Sequence, residues 1–113
     1  LIARTAFYQQ VHEFFEGYDL LLTPQMPMGA WPVDQWPSEI DGTPTPSMFD
    51  RLSFTFPFNL TGQPAASVPC GFTDEGLPVA LQIVGRWHAD TLVLQAAAAL
   101  EQAAPWSDVW PSV

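Results

Sequence analysis

The chain has 113 residues with a formal net charge of −9, 48% hydrophobic and 13% aromatic residues, a single cysteine and no lysine. That composition is too apolar for disorder, and no apolar run approaches the roughly 20 residues a membrane-spanning helix needs, so a packed, soluble chain is expected. The acidic field repels phosphate and argues against nucleic acid as a direct partner, and one cysteine excludes an internal disulfide and fits a reducing, cytoplasmic setting.

Taken in order, residues 1–17 are predicted to form a helix. Ala3, Phe7, Val11, Phe14, Phe15 and Tyr18 recur at spacings of three and four, the one-sided stripe of an amphipathic helix. Gly17 is placed to end it. The N-terminus carries no basic segment followed by an apolar one, so it is not expected to be a targeting signal; it reads as the middle of a helix, as in a fragment. Residues 20–23, wholly apolar up to Thr23, predict a strand covered on both faces.

Residues 24–46 are crowded with prolines from Pro24 to Pro46 and show neither helical nor strand periodicity. Proline removes a backbone donor and fixes φ, so an irregular loop is expected. A loop of this length inside a domain points to function or to docking, and Met26, Met28, Trp31 and Trp36 favour docking. Residues 47–60 predict a short helical segment with Leu52, Thr55, Phe56 and Asn59 on one side and Pro57 limiting its regularity.

Residues 65–84 predict two strands around a turn at Gly76, a residue that takes positive φ without strain. In the second strand Val79, Leu81 and Ile83 share one face, and Ala80, Gln82 and Val84 the other. Residues 90–104 predict a helix with Asp90 as its N-cap, an inward face of Leu92, Val93, Ala96, Ala97 and Leu100, and Pro105 as its stop. The tail, WSDVWPSV, has no periodic context.

The chain carries few residues in patterns that signal chemistry. His12, His88 and Cys70 lack the paired spacing of a zinc site, and no metal or other cofactor is expected. Cys70, between Pro69 and Gly71 in an acidic chain, lacks the electropositive setting of a reactive thiol and is expected to be a buried space-filler. Asp74 and Glu75 are expected to be solvated in the turn. Ser67 is expected to be a core strand serine bonded to the backbone, since no serine lies in a G-x-S-x-G elbow. A phosphate loop would need the lysine that this chain lacks. The Asn59-Leu60-Thr61 sequon is taken as fortuitous.

The segments PFNLTGQPAASVPCG, GLPVALQIVG and DTLVLQAAAALEQAAPW, with ARTAFYQQVHEFFEGYDLLLTPQMP before them, resemble in order and spacing the C-terminal end of an amidase signature enzyme. The resemblance implies an α/β fold, the C-terminal part of a mixed sheet flanked by helices with a long Pro-rich loop. It also implies amide hydrolysis by a Ser–cis-Ser–Lys triad lying outside this chain, which has no lysine, so no catalytic residue is assigned here. In the family the stretch matching residues 52–59 borders the substrate channel. Leu52, Thr55 and Phe58 are therefore candidate pocket residues, with Trp31 from the proline loop.

In the A subunits of the related amidotransferases an acidic residue near position 52 helps to hold the glutamine amine. Here that position is Leu52, with Asp50 two residues away, which favours a simple amidase acting on an apolar acyl or aryl amide. The expected partners are the N-terminal remainder of the same enzyme and a small-molecule amide, with no nucleic acid and no membrane, and homo-oligomerisation is left open. The alternatives are a free-standing binding domain that retains the amidase scaffold, and part of an amidotransferase A subunit.

Overall fold

The computed structural model describes residues 2–110. Leu1, where the first helix is expected to begin, and the last three residues of the tail lie outside the described residues. The elements are α1 (Ile2–Gly17), β1 (Leu20–Pro24), β2 (Glu39–Ile40), β3 (Thr43–Pro44), α2 (Met48–Arg51), α3 (Phe56–Thr61), β4 (Ala65–Phe72), β5 (Pro78–Gly85) and α4 (Asp90–Ala103). The main sheet has the order β1-β5-β4. Both of its pairings are antiparallel, Leu20 to Pro24 facing Gly85 to Leu81 and Ala65 to Phe72 facing Val84 to Pro78.

The central strand β5 carries the core on both of its faces. Val84, which is fully buried, packs with Phe15 of α1 and Phe58 of α3, and Val11 and Leu21 lean on that cluster. One residue back along the pleat, Ile83 turns the opposite way, because side chains alternate across a strand. It packs with Val68 and with Val93 of α4, among Leu20, Ala66, Leu81, Ala96, Ala97 and Leu100. The result is three layers, α1 and α3 on one side of the sheet and α4 on the other.

The alanines of α4 let it settle close to the sheet. A Cβ built on Gly85 would come 2.6 Å from the Val93 γ-methyl. Ala89 occupies the N-cap position, without a side-chain cap hydrogen bond, and Asp90 is the first helical residue rather than the expected cap. The backbone sets this shift: His88 has φ 63° and the Ala89 N–H donates to Arg86 O at 3.0 Å, closing a turn just before the helix. The Asp90 carboxylate stays in the first turn, where the helix dipole favours negative charge.

Several expectations are corrected. The strand at 20–23 is not covered on both faces, because β1 is an edge strand whose Leu22 is 56% exposed. The loop at 24–46 is not wholly irregular: β2 and β3 form a small antiparallel hairpin closed by Asp41-Gly42, with φ of 48° and 72°. Two positive φ values are what a two-residue primed turn requires, and Asp-Gly meets that need.

The segment at 47–60 divides into α2, capped reciprocally by Ser47 and Asp50, and α3, which accepts Pro57 in its first turn where no donor is lost. Ser67 is exposed rather than core, since it lies on the face of β4 opposite the Val68 cluster. Cys70 is exposed rather than buried. A β-bulge between Pro69 and Gly71 makes it the unpaired extra residue, and its thiol donates to Val79 O at 3.8 Å.

Candidate functional site: an apolar cavity at the end of the sheet

Three segments meet where β1 runs out. Pro24 ends β1, and the Gln25 N–H donates to Ala80 O at 3.0 Å, which carries the chain alongside β5 before the proline loop turns away. Residues Met26 to Trp31 of that loop form one wall, Phe54 from the α2–α3 connection a second, and Pro78, Val79 and Ala80 a third. They enclose a cavity of about 670 Å³. That volume falls in the range of small-ligand pockets, which are mostly apolar with a few placed polar groups.

The lining here is methionine, proline, tryptophan, phenylalanine, valine and alanine, and its one amide side chain is Gln25. Gln25 Oε1 is buried and has no hydrogen-bond partner among the described residues. Behind the cavity lies Gln82, 3% exposed, whose Nε2 donates to Thr23 Oγ1 at 2.9 Å and to Phe54 O at 2.8 Å.

The outer part of the proline loop is held by Arg51. Its Nε donates to Pro37 O at 3.0 Å and its Nη2 to Thr45 O at 2.7 Å, while the guanidinium lies 5.5 Å from the centre of the Trp36 ring. The buried Thr45 hydroxyl also donates to Pro37 O, at 2.8 Å. Proline-rich chain has few donors of its own, so a planar fork with several N–H groups is well suited to gather its carbonyls. Trp36 in turn sits 5.8 Å from Trp31, the residue that reaches the cavity.

Of the four candidate pocket residues, Trp31 lines the cavity. Phe58 sits in the core with Phe15 and Val84. Leu52 and Thr55 are half-buried and cap the ends of α2 and α3, where the Thr55 hydroxyl donates to Leu52 O at 3.2 Å. None of these three is among the lining residues. Phe54, Val79 and Ala80 line the cavity and Gln82 bonds to the Phe54 carbonyl; the only local signal for any of these is the period of two that puts Ala80 and Gln82 on one face of β5.

The lining contains no serine, cysteine, histidine, lysine or carboxylate, so the cavity can hold a molecule but supplies no nucleophile or base of its own. Among the described residues no group of three or more His, Cys, Asp or Glu side chains could hold a metal. Among the described residues two exposed carboxylates have lowered pKa values, and neither lines the cavity. Asp50 is lowered by the Ser47 hydroxyl and backbone N–H, and Glu75 by the Thr73 hydroxyl and its own backbone N–H. No helix of the described residues is long and apolar enough to cross a membrane.

Comparison with known proteins gives this geometry a context. An acylamidase of Rhodococcus erythropolis is 39% identical over 100 residues, covering 88% of this chain and 21% of that protein. The A subunit of the glutamyl-tRNA(Gln) amidotransferase of Symbiobacterium thermophilum is 39% identical over 110 residues, covering 97% of this chain and again 21% of the relative. The chain thus spans about a fifth of the length of the curated relatives it matches.

Among solved structures, a bacterial aryl acylamidase belonging to the amidase signature enzymes superposes with a TM-score of 0.82 at 35% identity, over 94% of this chain and 22% of that one. A 6-aminohexanoate cyclic dimer hydrolase, solved with its substrate, gives 0.77 at 32% identity, over 91% and 23%. The family model described as Amidase matches residues 2–94, and with these likenesses in sequence and fold it shows that the chain belongs to the amidase family.

Proposed function

We propose that this chain is the C-terminal structural and substrate-pocket part of an amidase that hydrolyses a carboxylic amide to the acid and ammonia or an amine. The observation that carries the reading is the apolar cavity bounded by Met26, Met28, Trp31, Phe54 and Val79, set against a chain with no lysine. Such a wall binds the acyl or aryl portion of an amide by burying its surface. The Ser–Ser–Lys chemistry of the family is then supplied by polypeptide outside these residues, and the substrate is an apolar acyl or aryl amide. A cytoplasmic setting accords with the single cysteine and with this enzyme class.

Binding energy from a part of the substrate remote from the reacting carbonyl holds that carbonyl in register with the nucleophile, which raises the effective concentration of the reacting groups. The cavity's contribution on this reading is positioning and exclusion of water, while charge stabilisation and proton transfer occur elsewhere. The 113 residues alone are accordingly inactive. Incubating the isolated chain with acetanilide and measuring released aniline tests this: no turnover above background is expected, and turnover would overturn it. When the chain is joined to the triad-bearing polypeptide, aryl amides are expected to be cleaved in preference to glutamine.

A second reading, part of an amidotransferase A subunit, is favoured by the identity to the Symbiobacterium protein. The net charge of −9 and Leu52 at the position of the acidic residue weigh against it. Co-purification with a second polypeptide, together with a preference for glutamine over aryl amides, would decide for that reading.

A further inference from the structure

The cavity has walls from three parts of the chain, and one buried side chain ties two of them to the third. We propose that Gln82 is the positioning residue of the cavity. Its carboxamide fixes the Phe54 wall, and the end of β1 at Pro24 from which the wall of residues 26–31 departs, relative to the central strand.

Gln82 is 3% exposed and lies in β5, between β1 and β4. A primary amide has two N–H donors, and here each has a different acceptor, Thr23 Oγ1 at 2.9 Å and Phe54 O at 2.8 Å. The Thr23 hydroxyl then donates onward to Pro24 O at 3.0 Å. Phe54 and Pro24 both line the cavity, so a continuous chain of hydrogen bonds runs from one wall to the other through the amide.

The direction of these bonds separates this role from ordinary sheet stability. Thr23 is the residue opposite Gln82 in the β1–β5 register, so that contact sits over the sheet. Phe54 is 28 residues away in the connection between two short helices, and its bond to Gln82 runs from the sheet to a wall. A polar side chain buried at this position is costly unless fully bonded. A methionine of similar length would satisfy the packing and leave Phe54 O without this donor. The consequence for binding rests on the proposed substrate reading; the consequence for wall geometry does not.

The test uses the 113-residue chain and the variants Gln82→Met, Thr23→Val and Thr23→Ser, with acetanilide as the probe. Affinity is read by NMR titration of the Trp31 indole signal, and cooperative unfolding is checked for each variant. The expected result is a loss of about tenfold or more in Gln82→Met and a smaller loss in Thr23→Val. Thr23→Ser keeps the hydroxyl and retains wild-type affinity.

Unchanged affinity in a folded Gln82→Met variant would overturn the proposal. Should Gln82→Met not fold, the Thr23 pair decides: equal affinity in the Val and Ser variants overturns it, and a loss confined to Val supports it. Should acetanilide not bind the wild-type chain, the substrate reading fails and Gln82 is judged by the Phe54 ring resonances. Displaced or doubled Phe54 signals in Gln82→Met, or in Thr23→Val if only that variant folds, then support a positioning role, and unchanged ones overturn it.

Discussion

Replacing Gly85 by alanine adds one methyl group at the tightest approach between the sheet and α4. The new Cβ would stand 2.6 Å from the Val93 γ-methyl and 3.5 Å from both the Cβ and the carbonyl oxygen of Ala89. Carbon atoms in contact prefer about 3.5–4.0 Å, so the helix must retreat by about 1 Å or Val93 must turn. Valine in a helix has one strongly preferred rotamer, and Val93 is 3% exposed among Val68 and Ile83, so retreat of the helix is the easier response.

Overpacking of this kind costs about 1–3 kcal/mol, and the upper part of that range is expected here because the neighbouring atoms belong to a helix docked along its length. Val93→Ala alone costs about 2 kcal/mol from the lost methyls and the space they leave. In the double variant the alanine methyl at position 85 enters that space. Its total cost should fall below the sum of the single costs by about 1–2 kcal/mol. Urea unfolding of the four proteins, followed by circular dichroism, measures the difference. A neutral Gly85→Ala, or strict additivity in the double variant, would refute the packing argument.

Other expectations follow from the site. Arg51→Lys should loosen the proline loop nearly as much as Arg51→Met, because a single ammonium cannot bridge Pro37 O and Thr45 O while lying on Trp36; faster amide exchange at residues 39–45 in both variants checks this. Phe58→Ala should cost about 3–5 kcal/mol in chemical unfolding, since Phe58 packs in the Phe15–Val84 cluster, whereas Trp31→Ala should leave stability nearly unchanged and weaken acetanilide binding. Asp50 and Glu75 have lowered pKa values in the folded chain, so their contribution to stability is fully present above the ordinary values of 3.8 and 4.5 and is lost as the pH falls through the lowered ones. Ser47→Ala removes the principal cause of the Asp50 shift. The acid-side slope of stability against pH is therefore expected to flatten in that variant, and an unchanged slope would count against the capping box.

The elements with local signals were legible in the residues themselves. Periodic apolar residues placed α1 and α4, and Gly76 with the alternation from Val79 to Val84 placed the β4–β5 hairpin, because helix and strand periods are properties of neighbouring side chains. The Asp41-Gly42 turn also had a local signal, hidden by the prolines around it. The order, spacing and turn residues of the chain carried the family resemblance, which the Amidase model matching residues 2–94 bears out.

What tertiary structure alone decided is which residues face the cavity. Phe54, Pro24 and Val79 are far apart in the chain and meet only because β1 pairs with β5 while the α2–α3 connection folds over both. Phe58, three residues from Thr55, is drawn into the core by contacts with α1 that no local pattern encodes. Cys70 is exposed because a bulge takes it out of the strand alternation. Gln82 shows the limit most clearly. Its place on a strand face could be read from a period of two, but its partners 59 and 28 residues away exist only once the chain has folded.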